Sequence, residues 1–205
     1  MDVRSHIFNS QKLQSVLNDA ACFFESTPVY KMPPSIRFDG AGVYGIYYTG
    51  NFNPYQKLAA YNKIHFQLPI YIGKSVPRGY RQGRVFESTE GSRVLYVRLN
   101  EHARSLSQSS NLNISDFFYR FAILDGTTVS LIGALEATLI RKYKPLWNSY
   151  IDGFGNHDPG RGRYQQAKSE WDVLHPGREW AARLNGESTT LSSILDKVSE
   201  YEIQQ

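Results

Sequence analysis

Apolar residues recur at helical spacing over residues 10–24, where Leu13, Val16, Leu17, Ala20 and Phe24 fall on one face. Asn9 or Ser10 is placed to cap that helix. Residues 31–40 contain two adjacent prolines and read as a connector. The period then changes. Residues 43–49 (VYGIYYT), 68–72 (LPIYI) and 117–124 (FFYRFAIL) are β-branched and aromatic, and predict strands. The stretch between the first two is too long for a tight hairpin and predicts a decorated connection.

Two further helices are written in the pattern. In residues 95–106, Leu95, Leu99, His102 and Leu106 share a face, with Arg98 adjoining it. Residues 129–143 (VSLIGALEATLIRKY) form a strongly apolar helix that Pro145 stops. The order helix, strand, strand, helix, strand, helix indicates an α+β fold. Residues 77–93 are rich in Gly, Arg and Ser and read as an inserted, exposed loop. Beyond Asn148, the run FGNHDPGRGRYQQ reads as an ordered loop over a ligand. Short helices are expected at 167–174, 178–184 and 191–198. There is no internal repeat and no clean domain boundary.

Composition narrows the class. A chain of 205 residues with 41% hydrophobic and 20% charged positions can build a core without disulfides. It has no apolar run long enough for a membrane span. The start, MDVRSHIFNSQ, lacks an apolar h-region, so no secretory signal is expected. The single cysteine, Cys22, fits a reducing cytoplasm. A net charge of +4 says little alone, but its distribution says more. Between Tyr71 and Arg104, Lys74, Arg78, Arg81, Arg84, Arg93, Arg98 and Arg104 face only Glu87, Glu90 and Glu101. Arginine forks suit phosphates and guanine edges.

Four elements carry candidate chemistry, and their order matters. Tyrosine-bearing strands hold Gly42-Val43-Tyr44, followed by Gly45-Ile46-Tyr47, and then Tyr71-Ile72-Gly73-Lys74. Arg98 and His102 are one helical turn apart and so are neighbours on one face. Glu136 is a lone acid among Leu131, Ile132, Leu135, Leu139 and Ile140, where an ionised group costs free energy unless paired or bound to a cation. Asn148 follows just beyond that helix, in PLWN.

Together these residues resemble the GIY-YIG nuclease superfamily over about residues 41–148, with 135–148 (LEATLIRKYKPLWN) the most specific part. The resemblance implies a small three-stranded antiparallel sheet flanked by helices. It divides the chain into an N-terminal helical extension (1–40), a nuclease core (41–148, with 77–93 inserted) and a C-terminal DNA-binding elaboration packed on the core (149–205). Arg98 stands farther from the second strand than in compact members, so the 77–93 insertion must loop away. The first motif has two possible registers, ending in Tyr44 or in Tyr47, which point to opposite faces of the strand. The flanking A-G-V-Y is similar to the family's strand start and favours Tyr44.

What the resemblance implies about the site is specific. Tyr44 is the candidate general base, with Lys74 and His102 placed to assist it, His102 by relaying a proton. Tyr71 positions water or phosphate, and Arg98 pairs with the phosphate. Glu136 holds one Mg²⁺, for which Mn²⁺ would substitute. Asn148 holds Tyr71, Glu136 or the local backbone. The run GNHDPGRGRY…SEWDVLHPGREW resembles a group of type II restriction endonucleases. That branch implies a cytoplasmic bacterial homodimer that cuts both strands of double-stranded DNA at a short palindrome, GC-rich and of the CCGCGG kind. It also implies a cognate DNA methyltransferase as a functional partner. Arg78, Arg81, Arg84, Arg161, Arg163, Arg178 and Arg183 are the candidate DNA contacts. His157, Asp158 and His175 match no zinc spacing and are expected to cap loops or touch DNA. A repair-type or homing-type nickase and a catalytically silent DNA-binding module are the alternatives.

Overall fold

The computed structural model describes residues 1–80 and 88–203. Its centre is β2 (Gly42–Tyr48), buried along its whole length. β2 pairs antiparallel with β3 (Tyr71–Ser75) on one side and with β4 (Phe117–Ile123) on the other. A two-residue strand, β1 (Tyr30–Lys31), extends the far side of β4. Among the described residues the sheet therefore has four strands in the order β1-β4-β2-β3, one more than expected, with β3 at an open edge. Tyr30 and Lys31 carry too little pattern for so short a strand to be read from sequence.

Side-chain alternation divides β2 between two layers. Tyr44, Ile46 and Tyr48 face α3 (Val94–Gln108), meeting Leu95, Leu99, Ala103 and Leu106. Val43 faces the other way, with Ile72 and Ala122, onto α1 (Gln11–Ser26) and α4 (Ile132–Tyr143). Leu17, Ala21 and Phe24 of α1 and Leu135 and Leu139 of α4 fill that layer. The side chain of Ser10 accepts from the backbone of Leu13 and caps α1.

The second strand begins later than its apolar run. Pro69 has no N–H to give the ladder, so regular pairing starts at Tyr71 and continues through Lys74 and Ser75. The residues before it are tied instead by buried Asn62 of α2 (Gln56–Ile64), which bonds both backbone groups of Leu68 and the Tyr48 carbonyl. The 129–143 helix starts as a 3₁₀ turn over Gly126–Leu131 and becomes regular only from Ile132. At its other end, Lys144 takes a left-handed conformation at φ 42°, and Pro145 then directs the chain into the short α5 (Leu146–Ser149).

The C-terminal third packs on the α3 side of the sheet. Phe154, Trp171 and Leu174 share one cluster with Trp147, Leu99 and Tyr44, and α7 (Leu191–Ser199) adds Ile194 and Val198. A buried polar chain secures α6 (Glu170–Leu174). Trp147 Nε1 donates to the Tyr55 hydroxyl at 3.0 Å, and that hydroxyl donates to His175 Nε2 at 2.6 Å. His175 Nδ1 donates to Asn111 Oδ1 at 2.8 Å. His175 is thus a core hydrogen-bonding group, not a ligand. Among the described residues, no helix is long and apolar enough to cross a membrane.

Burial pushes the His175 imidazole down to about 3 and holds His102 well below its usual value. Both are neutral when folded, whereas an unfolded imidazole protonates near roughly pH 6.5. Below that pH the unfolded state binds the extra protons, so stability is lost as pH falls. Urea unfolding followed from pH 8 to pH 4 should show a stable plateau above about pH 7 and a decline below it. The decline should approach about 1.4 kcal/mol per pH unit for each histidine.

Candidate active site

The edge strand β3 gathers the site because three layers meet there. Tyr71 and Gly73 point towards α3, while Ile72 and Lys74 point towards α4. Tyr44 of β2 lies directly opposite Gly73. A Cβ at Gly73 would fall within 2.6 Å of Tyr44 Cζ, so glycine makes room for the phenol to lie across the strand. The Tyr44 hydroxyl reaches His102 Nε2 at 2.7 Å. Rings of Tyr71 and His102 meet edge-on with centroids 5.3 Å apart.

The electrostatics set protonation states. Burial, and secondarily Tyr71, pushes the Tyr44 phenol well above its ordinary value, with Arg98 acting in the opposite direction. Burial likewise raises Tyr71, again opposed by Arg98. Burial and the Arg98 charge lower His102, which is neutral. A protonated phenol against a neutral imidazole makes an uncharged hydrogen bond: in the Nδ1-protonated tautomer Tyr44 donates and the Nε2 lone pair accepts. Tyr47, the other register, lies on the opposite face under Arg120, whose guanidinium sits 5.6 Å from its ring centre.

Arg98 is one turn before His102 and only 20% exposed. It donates to the Gly155 carbonyl at 2.8 Å and to Glu101 at 2.9 Å, and it also pairs with His157 Nε2. On the α4 side of β3, Lys74 Nζ bonds Glu136 Oε2. Glu136 is 17% exposed, and its Oε1 has no partner among the described residues. Asn148 holds the strand itself. Its Oδ1 accepts from Ile72 N at 2.8 Å and its Nδ2 donates to Ile72 O at 2.9 Å. Of the three tasks considered for Asn148, bracing the local backbone is the one the geometry contains.

Residues 154–157 complete the wall, and motif spacing missed them. The Phe154 ring stacks on His102 at 4.6 Å with planes 14° apart, and meets Tyr71 edge-on at 4.9 Å. Gly155 comes so close that a Cβ there would lie 2.7 Å from the Tyr71 hydroxyl. The sequence signal for them was the run FGNHDPGRGRYQQ, read as an ordered loop over a ligand with no role assigned to Phe154. Among the described residues, no group of three His, Cys, Asp or Glu side chains could hold a metal.

The candidate DNA contacts divide. Arg78 lines a groove of about 840 Å³ with Lys74, Arg93, Arg98 and His157, opening onto the site. Arg161 and Arg163 lie exposed on a 3₁₀ turn. Arg183 is exposed but pairs with Asp158 at 2.9 Å and lies over Tyr164. Arg81 and Arg84 lie outside the described residues. Arg178 is a correction: it is 1% exposed, paired to both oxygens of buried Asp172, and packed between Trp171 and Trp180. All five of its N–H groups are used inside the protein, so it has none for DNA.

Gly73→Ala should push Tyr44 out of line, because a buried tyrosine has nowhere to yield. The expected readout is loss of the Tyr44–His102 hydrogen bond, seen as a shift of the His102 Nε2 resonance in ¹⁵N NMR with the remaining histidines unmoved.

The sequence profile described as the Eco29kI GIY-YIG domain matches residues 36–202. That span covers Tyr44, Tyr71, Arg98, His102, Glu136 and Asn148, and runs on through the C-terminal wall. No curated protein matches the chain. The match covers most of the chain, and the antiparallel sheet flanked by helices agrees with it. The chain belongs to the Eco29kI GIY-YIG family of type II restriction endonucleases, and its core is a nuclease domain that acts on DNA.

Proposed function

We propose that this protein is a Mg²⁺-dependent type II restriction endonuclease that cleaves both strands of a short palindromic, GC-rich site of the CCGCGG kind as a homodimer. The observation that carries this is the convergence on β3 of a phenol–imidazole pair, a half-buried arginine and a carboxylate, beside an arginine-lined groove. These are the parts that phosphodiester hydrolysis requires: a proton acceptor for water, charge to meet the phosphate, and a seat for a hard cation.

Glu136 suits Mg²⁺. It presents an oxygen with no protein partner among the described residues, beside Lys74, which lines the groove. Mg²⁺ keeps most of its waters, so one carboxylate with a phosphate oxygen is a sufficient donor set. When bound, the metal supplies polarisation of the scissile phosphate and stabilisation of the departing 3′-oxygen.

The chain's own residues do the rest. Water attacks phosphorus as its proton passes to the Tyr44 oxygen, while Tyr44 gives its own proton to His102 Nε2, the acceptor already 2.7 Å away. The P–O3′ bond breaks on the opposite side. This relay spares Tyr44 from existing as a free phenolate, which burial disfavours. Arg98 exchanges its carbonyl and histidine partners for phosphate oxygens and meets the charge that builds on them. Tyr71 aligns the water or phosphate, and Lys74 holds Glu136 in place. A two-fold dimer places one such site on each strand of a palindrome. Methylation of the target by a cognate methyltransferase would protect host DNA.

Glu136→Gln should abolish plasmid linearisation in Mg²⁺ while leaving the fold intact; cutting at the wild-type rate would remove the metal assignment. Tyr44→Phe should slow cleavage by about 10²-fold or more, the scale of lost acid–base help, with Tyr47→Phe close to wild type. The reverse ranking would put the base in the wrong register. Gels that separate nicked from linear plasmid, with light scattering of the protein on its DNA, check double-strand cutting and the dimer. Accumulation of nicked circles as the end product would make it a nickase.

A further inference from the structure

The buried Arg178 and the Phe154 ring are unexplained by the chemistry above, yet they form one device. Arg178 Nη2 donates to the Gly153 carbonyl at 2.9 Å, and Nη1 donates to the carbonyls of Phe154 at 3.1 Å and Asn156 at 3.3 Å. Its remaining donors clamp Asp172 of α6, at 2.6 Å and 2.7 Å. Three carbonyls from four successive residues thus converge on one guanidinium, which sets the curvature of that short strap. The strap in turn lays Phe154 flat on His102 and hands the Gly155 carbonyl to Arg98.

We propose that Phe154 and Arg178 are positioning residues of the nuclease site: Arg178 shapes the 153–156 strap, and Phe154 keeps His102 dry and aligned with Tyr44. This role rests on the nuclease function proposed above, with His102 accepting the Tyr44 proton. It also gives a reason for burying a charge in the C-terminal third. Asp172 neutralises Arg178, the Trp171 and Trp180 rings cover its faces, and the carbonyls take the other protons.

Several groups besides Phe154 surround His102. Tyr44 comes from β2 and Tyr71 from β3, Arg98, Glu101 and Arg104 from α3, and His157 and Asp158 from the C-terminal loop. Arg98, His157 and Arg178 favour the neutral imidazole, but burial is the larger cause. Removing the ring therefore acts on the larger cause, and water admitted there would let His102 protonate nearer its ordinary value.

The test is single-turnover and steady-state cleavage of a cognate DNA in Mg²⁺ from pH 5 to pH 9. Phe154→Ala should lower kcat about tenfold or more near neutral pH, leave KM nearly unchanged, and move the acidic limb up towards neutral pH. Phe154→Tyr, which restores a flat ring, should recover both the rate and the limb. Arg178→Lys keeps the charge but loses the fork, and should show the same moved limb in a folded protein. A wild-type kcat and limb in Phe154→Ala would overturn the proposal while Mg²⁺-dependent cleavage stood. A fall in kcat with an unmoved limb would also overturn it, because it would reduce Phe154 to packing. Absence of cleavage by the wild-type protein on any DNA would instead defeat the nuclease function itself.

Discussion

An edge strand with its outer backbone groups open is a liability in any sheet, and here that edge is where the site is built. Among the described residues β3 pairs only with β2, so the outward N–H and C=O of Ile72 need a partner from elsewhere. The Asn148 side-chain amide supplies both, acting as a one-residue substitute for a fifth strand. Because α5 also bonds Trp147 N to the Ile70 carbonyl, the segment after α4 is stitched along β3 at two points. Tyr71, Gly73 and Lys74 inherit their positions from that stitching. So do the groups that meet them: Tyr44 over Gly73, Glu136 on Lys74 and Phe154 on Tyr71.

The site uses burial to decide which groups hold protons. Two phenols and an imidazole share an apolar layer with one arginine, and desolvation keeps the first three neutral. Arg98 stays charged there because Glu101 and the Gly155 carbonyl serve it. The result is an uncharged phenol–imidazole hydrogen bond beside a cation that is held by a carboxylate, a carbonyl and a histidine. Glu136 and Lys74 sit on the other face of β3, so the carboxylate proposed to hold the metal and the phenol–imidazole pair proposed as the relay lie on opposite sides of one strand.

The C-terminal third is inseparable from this chemistry. Its aromatic residues complete the cluster that contains Tyr44 and Leu99, and its strap covers His102. Arg178 shows how a buried charge is tolerated: paired, stacked and with every donor occupied. The family match likewise runs through residue 202, well past the last core motif.

Much of this was legible in the sequence. Strand and helix periods gave the α+β order, and the spacing of GVY, YIGK, R-x-x-x-H, the lone Glu136 and PLWN pointed to one family, because those features are local and the chemistry requires fixed residue types. Two-residue alternation showed that Tyr44 and Tyr47 face opposite ways, and the choice of Tyr44 rested on the resemblance of A-G-V-Y to the family's strand start. Other features depended on contacts between distant segments. Nothing local distinguishes Arg178, buried with Asp172, from Arg163, exposed on a turn, since burial is a property of what packs against a residue. Asn148 had three possible tasks in the sequence, and only the approach of Ile72, far away in the chain, shows which one its amide performs. Phe154 was one aromatic in a glycine-rich loop, and only the folding of that loop around Arg178 sets it on His102. The sequence by itself determined which chemical groups are present and in what order. The tertiary structure decided which of them are dry, paired and facing one another, because desolvation and hydrogen-bond partnership arise only when remote segments pack together.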